Sequence, residues 1–346
     1  VLVVDDSLTV RAHLCAVLGA DPGLEVVAAA SDGKQAIELC RTLRPDVITL
    51  DMMLPVMSGL AATEYIMAHF PTPILIVSSS INRGELFKTY EALAAGAVDV
   101  LEKPDASADP DDWDHRLVAT VKLVARIRVI THPRGRLTPS PPPFPQAAAG
   151  RERRGALSLV ALGASTGGPG AIVEVLRGLP APFPVPILIL VHIGEPFGTA
   201  LADWLDAQTG HRVRYAADGE PVPAEPAVLM ARPDRHLRLR DGRFHLADDP
   251  PRHSCRPSVD VLFESLAADR GRSVAAALLT GMGKDGALGL LAIRRAGGLT
   301  IAQDEATSVV YGMPREAALL GAALRVLPLG DIGPALAAAV RAGGAQ

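Results

Sequence analysis

The sequence predicts an α/β protein of two units, each built on a mainly parallel sheet. Apolar runs alternate with segments of helical spacing up to residue 130, and the same alternation resumes after residue 156. Strongly apolar strands alternating with helices form parallel sheets covered on both faces. Polar residues stand where the apolar runs end, and in such sheets the functional crevice lies at the carboxyl ends of the strands. At 346 residues the chain is long enough for about two domains of ordinary size.

The alternation lapses over residues 131–155. Pro133, Pro139, Pro141, Pro142, Pro143 and Pro145 crowd in, and Arg134, Arg136, Arg151, Arg153 and Arg154 add charge. Such a stretch cannot bury enough apolar surface to offset its ordering entropy. It is therefore expected to be a flexible, semi-extended linker between domains at 1–130 and 156–346.

Composition sets further limits. Hydrophobic residues make up 49% of the chain and aromatics 4%, so the cores are expected to be aliphatic. A formal charge of −4 is too mild and too mixed to suggest a nucleic-acid-binding surface. Cys15, Cys40 and Cys255 are odd in number and lack Cys-x-x-Cys spacing. They are expected to be reduced, mostly buried thiols of a cytoplasmic protein, outside any disulfide or metal site. No apolar run approaches the roughly 18 residues of a membrane span, and no basic-then-apolar leader opens the chain. The chain starts at Val1, already inside an apolar run, so a short N-terminal piece of the first strand is expected to be missing.

In the first unit, strands are expected at 1–4, 25–30, 47–50, 73–77 and 98–101. Helical spacing covers 8–18, 33–43, 59–70, 85–95 and 111–130. The strand ends carry Asp5 and Asp6, Asp51, Ser78, and Lys103 before Pro104. Three clustered carboxylates are costly unless a cation lies among them, and an all-oxygen site suits Mg²⁺. Asp51 then becomes a candidate nucleophile for a phosphoryl group, with Lys103 and Ser78 placed to bind phosphoryl oxygens. The plain alternatives are that Asp6 or Ser7 caps the next helix and that Lys103 is a solvated loop residue.

In the second unit, strands are expected at 157–162, 186–191, 212–216, 227–231, 274–280, 299–302 and 324–329. A hairpin is expected across Asp241-Gly242, between 236–240 and 243–247. The first strand breaks at Gly163, turns around Ser165 and continues as a helix. The glycines permit the sharp turn, and the new helix presents free N–H groups to a forming anion. His192 directly follows the second strand. Asp285 lies in Gly281-Met-Gly-Lys-Asp285-Gly286, another strand, glycine turn and helix start, where the simple alternative is a helix cap. Serine, histidine and aspartate at three strand ends suggest a nucleophile, its base and an orienting acid. Gly163-x-Ser165-x-x-Gly168 is also a degraded dinucleotide fingerprint, with serine where the middle glycine belongs. The chain order serine, histidine, aspartate differs from ordinary α/β-hydrolases.

With these residues in place, 1–130 resembles a response-regulator receiver domain. The resemblance implies phosphorylation of Asp51 by a partner histidine kinase. Asp5, Asp6, Asp51 and the Met53 carbonyl would hold Mg²⁺, Ser78 and Lys103 would act as switch residues, and the peptide before Pro104 would be cis. Val100 stands where receivers often carry an aromatic residue. The whole chain resembles the chemotaxis protein-glutamate methylesterases (CheB). Gly163-Ala-Ser-Thr-Gly-Gly168, His253-Ser-Cys-Arg-Pro-Ser-Val-Asp260, Leu279-Thr-Gly-Met-Gly-Lys-Asp-Gly286 and Gln303-Asp-Glu-Ala-Thr-Ser-Val-Val-Tyr-Gly-Met-Pro-Arg315 carry that likeness. It implies Ser165 as nucleophile, His192 as general base then acid, Asp285 as its orienter, and the N–H groups of Thr166 and Met282 as the oxyanion hole.

The implied substrates are glutamate methyl esters of chemoreceptors, with receptor glutamines as a second class. The implied phosphodonor is a chemotaxis histidine kinase. The esterase half would need no cofactor, and the receiver would block the cleft until phosphorylated. Two departures flank the cleft: His192-Ile-Gly194-Glu-Pro196 replaces the usual His-Met-Pro, and Asp234 stands where a Pro-Gly turn is expected. Two other classes fit the sequence, a receiver-linked scaffold with an inert serine and a receptor glutamine deamidase. Neither nucleic acid binding nor membrane insertion is expected.

Overall fold

Parallel strands need crossovers, and the helices between the apolar runs supply them. The computed structural model describes residues 1–79, 83–104, 110–127, 129, 156–194 and 197–344. The chain divides into two units, Val1–His132 and Pro133–Gln346. The expected linker, 131–155, lies outside the described residues.

In the first unit the order is β1 (Leu2–Val4), α1 (Leu8–Ala20), β2 (Ala28–Ala30), α2 (Gly33–Leu43), β3 (Ile48–Leu50), α3 (Gly59–His69), β4 (Ile74–Ser78), α4 (Arg83–Ala94), β5 (Asp99–Glu102) and α5 (Pro110–Val124). The five strands form one parallel sheet in the order β2-β1-β3-β4-β5. Ser7, Asp32 and Ser58 cap α1, α2 and α3 by accepting a backbone N–H in the first turn. One core packs Leu14 and Leu18 of α1 with Val1, Val3, Leu75, Val77 and Leu101 of the sheet and Trp113, Leu117 and Val121 of α5.

Some boundaries differ from expectation. The second strand is shorter than 25–30, although Val27 N–H still bonds the Val1 carbonyl. The last helix stops at Val124, not 130. There, Arg126 and Ile127 donate to carbonyls three residues back, which tightens the turn and ends the α-helix. The Lys103–Pro104 bond is not among the cis peptides, which are Ala181–Pro182 and Arg256–Pro257 among the described residues. Lys103 reaches its carboxylates without it.

The second unit runs β6 (Leu159–Ala164), α6 (Gly168–Arg177), β7 (Ile187–Val191), α7 (Phe197–Gln208), β8 (Val213–Tyr215), β9 (Val228–Met230), β10 (His236–Arg240), β11 (Arg243–Ala247), α8 (Val259–Asp269), β12 (Val274–Leu278), α9 (Ala287–Arg295), β13 (Leu299–Gln303), α10 (Met313–Leu319), β14 (Arg325–Leu327) and α11 (Leu329–Gly344). Seven strands form a parallel sheet in the order β14-β13-β12-β6-β7-β9-β8. The hairpin β10-β11 has the expected limits, and Asp241 and Gly242 both take positive φ, as a two-residue turn of this hand requires.

From central β6 the chain first builds one side of the sheet, β7 to β9, and then the other, β12 to β14. The crevice of this reversal opens between the carboxyl ends of β6 and β12. In the first unit the reversal falls between β1 and β3. No described helix is long and apolar enough to cross a membrane.

Leu190 lies fully buried in β7 between β6 and β9, within the second unit's main core. Leu190→Ala should destabilise that unit by about 2–5 kcal/mol, through lost transfer energy and an unfilled cavity. A lower midpoint in urea unfolding monitors this, and an unchanged midpoint would contradict the packing described.

Candidate active site

The polar residues expected at strand ends gather at each sheet's reversal. In the second unit Ala164 of β6 pairs in register with Val191 of β7, so Ser165 and His192 follow directly on neighbouring strand ends. His192 N–H donates to the Ala164 carbonyl at 3.0 Å, and Ser165 N–H donates to the Thr280 carbonyl at 3.0 Å. Ser165 is thereby fixed between the end of β7 and the loop after β12. A Cβ on Gly281 would lie 2.7 Å from Ser165 Cβ, so only glycine fits beside the serine. Gly167, at φ 76°, starts α6. The N–H groups of Thr166 and Met282 donate to no acceptor among the described residues, so both are free for a ligand.

Asp285 does not cap α9; Gly286 does. Its carboxylate instead meets the N-terminus of α8. Oδ1 accepts from the Ser258 hydroxyl at 2.7 Å and from Asp260 N–H at 3.1 Å. Oδ2 accepts from Val259 N–H at 2.7 Å and lies 2.8 Å from His192 Nε2. Burial alone would raise the Asp285 pKa. The hydrogen bond and charge of His192, together with the hydrogen bonds of Ser258 and Val259, outweigh burial and hold the carboxyl below the ordinary range. For His192, burial favours the neutral ring, but Asp285 and Cys255 raise its pKa to about 9.

Because Asp285 occupies Nε2, Nδ1 is the nitrogen left to act as a base. It faces Cys255 Sγ at 3.6 Å. No hydrogen bond joins the Ser165 hydroxyl to His192 in this arrangement. Cys255 is only partly buried, and Cys15 is too, so only Cys40 fits the expectation of buried thiols; all three are free of disulfides. The roles of Cys255 and Ser258 escaped sequence reasoning, although both lie in a motif that the sequence singles out.

Thr280 and Gln303 form a second buried support. Gln303 Oε1 accepts from Thr280 N–H at 2.8 Å, and the Thr280 hydroxyl donates to the Thr166 carbonyl at 3.0 Å. The motif that begins at Gln303 thus braces the serine turn from below.

In the first unit Lys103 Nζ lies 2.6 Å from Asp51 Oδ2 and 2.8 Å from Asp5 Oδ2. The Ser78 hydroxyl and the N–H groups of Met52 and Met53 donate to Asp51 Oδ1 at 3.2, 2.6 and 3.3 Å. Ser7 caps α1 while Asp6 is exposed, so the carboxylates are not there for capping. Burial pushes the Asp5 pKa up against the pull of Lys103, and the charge of Asp51 adds to the rise. Burial would lower the Lys103 pKa, but Asp5 and Asp51 outweigh it and raise it.

Carboxylate oxygens of Asp5, Asp6 and Asp51 lie within 4.8 Å of one another. Asp5 Oδ2 is buried and receives no well-aligned hydrogen bond, despite the nearby lysine. A hard, oxygen-seeking divalent cation fits this set.

The CheB methylesterase family model matches residues 160–336, more than half the chain. The chain belongs to the CheB methylesterase family. The response regulator receiver domain model matches residues 1–109. A protein-glutamate methylesterase/protein-glutamine glutaminase of Anaeromyxobacter dehalogenans is 45% identical over 343 residues, 97% of this chain and 95% of the relative. One of the same description from Myxococcus xanthus is 42% identical, covering 99% of this chain and 98% of its own. The crystal structure of the Thermotoga maritima CheB methylesterase catalytic domain is 35% identical, with a TM-score of 0.50 over 53% of this chain and 98% of that one. The CheB match encloses Ser165, His192 and Asp285, and the receiver match encloses Asp5, Asp51, Ser78 and Lys103.

The Asp285 contact predicts a histidine titration. In wild type the His192 imidazole should titrate above the ordinary value near 6.5. Asp285→Asn removes the negative charge and should move that titration downward. NMR of labelled histidine reads both, and an unshifted wild-type value would refute the ion pair.

Proposed function

We propose that this chain is a phosphorylation-regulated serine hydrolase that removes methyl groups from glutamate methyl esters of chemoreceptors and deamidates receptor glutamines. It would act in the cytoplasm in chemotactic adaptation, with a chemotaxis histidine kinase as phosphodonor. The carrying observation is the Asp285–His192 hydrogen bond beside Ser165, at the reversal of the sheet. The names of the relatives, which join both activities, point the same way.

Mechanistically, the neutral form of His192, its Nδ1 proton given up to solvent, takes the Ser165 proton at Nδ1 as the hydroxyl oxygen attacks the ester carbonyl. Asp285, fixed by α8, holds the ring and favours the imidazolium that results. The N–H groups of Thr166 and Met282 donate to the tetrahedral oxyanion. Losing one such donor typically costs on the order of 100-fold or more in rate. His192 then gives its proton to departing methanol, or to ammonia from a glutamine, leaving an acyl group on Ser165 Oγ. Water attacks that ester with His192 again as base, and glutamate and free serine result.

In the receiver, Asp51 is the proposed phosphoryl acceptor. Asp5, Asp6, Asp51 and the Met53 carbonyl would hold Mg²⁺, which when bound neutralises charge during phosphoryl transfer. Lys103 and Ser78 already touch Asp51 and would turn to the phosphoryl oxygens.

Ser165→Ala should lower methanol release from methylated receptor membranes by a factor on the order of 10⁶, and His192→Ala by nearly as much. Near-normal turnover in Ser165→Ala would exclude serine as the nucleophile. Asp51→Asn should accept no phosphoryl group from a small phosphodonor, whereas wild type should gain one that is acid-stable and base-labile. Phosphate recovered on serine or histidine would overturn that assignment.

A further inference from the structure

We propose that Cys255 and His192 form a binding site for Zn²⁺, and that zinc bound there inactivates the hydrolase by occupying the base nitrogen of His192. The inhibitory half rests on the function proposed above; the binding half does not.

The two candidate ligands face each other at the spacing that one ion requires. Cys255 Sγ lies 3.6 Å from His192 Nδ1. Zinc binds thiolate at about 2.3 Å and imidazole at about 2.0 Å, so tetrahedral geometry puts the two ligand atoms roughly 3.5 Å apart. Little movement of either side chain is needed. Cys255, His192 and Asp285 also form a group whose ligand atoms lie within 4.8 Å of one another. Asp285 need not bind the ion itself. Its Oδ2 lies 2.8 Å from Nε2, across the ring, which is how a carboxylate orients a zinc-bound histidine and strengthens it as a ligand.

The loop presents the thiol in a fixed position. Arg252 and Cys255 exchange backbone hydrogen bonds at 2.9 and 3.1 Å, closing a tight turn. His253 and Ser254 inside it take φ of 52° and 62°, unusual for residues with side chains. Cys255 is partly exposed, so an ion can reach it, and its thiol points to the His253 carbonyl at 3.4 Å. This assigns a metal role to a cysteine for which the sequence predicts none.

Binding displaces the thiol proton and, where the ring is charged, the Nδ1 proton of the imidazolium to solvent, so that His192 binds as the neutral ring through Nδ1. Two protein ligands leave two tetrahedral positions for water, so the ion is exchangeable. While it is bound, Nδ1 cannot accept the Ser165 proton.

The test uses the full chain, stripped of metal by a chelator and titrated with Co²⁺ as a spectroscopic probe, then with Zn²⁺. Wild type should show a thiolate-to-cobalt charge-transfer band that saturates at one equivalent and is displaced by zinc. The band should vanish in Cys255→Ala and in His192→Gln, and persist in Cys15→Ala. Cys255→Ser keeps the side chain's size and decides the matter if the alanine variant does not fold. Cobalt affinity should fall at least about tenfold in either Cys255 variant, as expected when a metal site loses a ligand or its support. No band in wild type, or one unchanged without Cys255, overturns the site.

Receptor methanol release is then measured with and without zinc in each variant, and the ratio is read. The ratio should fall steeply in wild type and stay near one in Cys255→Ser. Equal zinc sensitivity in the two overturns the inhibitory half. A wild type with the band but no esterase activity in metal-free buffer would instead count against the proposed function.

Discussion

The Asp285 carboxylate organises the second unit's crevice. A buried carboxylate is tolerable only when its lone pairs are met, and here four donors converge on it. Three come from the start of α8 and one from the ring of His192. One anion thus ties together the loop after β12, the end of β7 and the first turn of α8. The charge and hydrogen bond of His192, with the donors at the start of α8, keep it ionised despite burial. Among the described residues the histidine is its ion-pair partner, through Nε2, and Nδ1 is the ring nitrogen left over. If Asp285 moved, both the aim of the ring and the anchorage of α8 would be lost.

The first unit solves a related problem with the opposite sign. There the excess is of negative charge, and Lys103 bridges Asp5 and Asp51 without satisfying Asp5 Oδ2. The second unit encloses a compensated charge, whereas the first keeps one that is under-compensated. The former suits a pre-organised catalytic group, and the latter a site that takes up a cation.

Much of this was legible in the sequence because strand ends are easy to locate. Ser165, His192, Asp285, Asp51, Ser78 and Lys103 each follow a recognisable apolar run, and parallel topology then brings such ends together. The hairpin at Asp241-Gly242 was equally plain, since few other sequences allow its turn. What could not be read depends on side-chain direction. The turn before Gly286 looks like a simple cap, and nothing local says that Asp285 faces α8. Cys255 lies 63 residues from His192, in a loop with no periodicity. Lys103–Pro104 shows the limit of inference by likeness, since the lysine reaches both carboxylates without the expected cis bond.

Asp234 carries a consequence for how the loop before β10 can change over time. It holds a φ of 55°, a conformation easier for glycine, and its carboxylate accepts from Arg256 Nε and Nη2 at 2.9 and 2.7 Å. Arg256 directly precedes Pro257 and Ser258, the residues that lead into the Asp285 anchor. Backbone ease and side-chain tether are therefore set against each other at one position. Glycine there would relax the turn but release the arginine, and an apolar residue with a side chain would lose on both counts. A change that removes the acceptor at 234 is therefore felt at residue 256 as well, on the way into the Asp285 anchor.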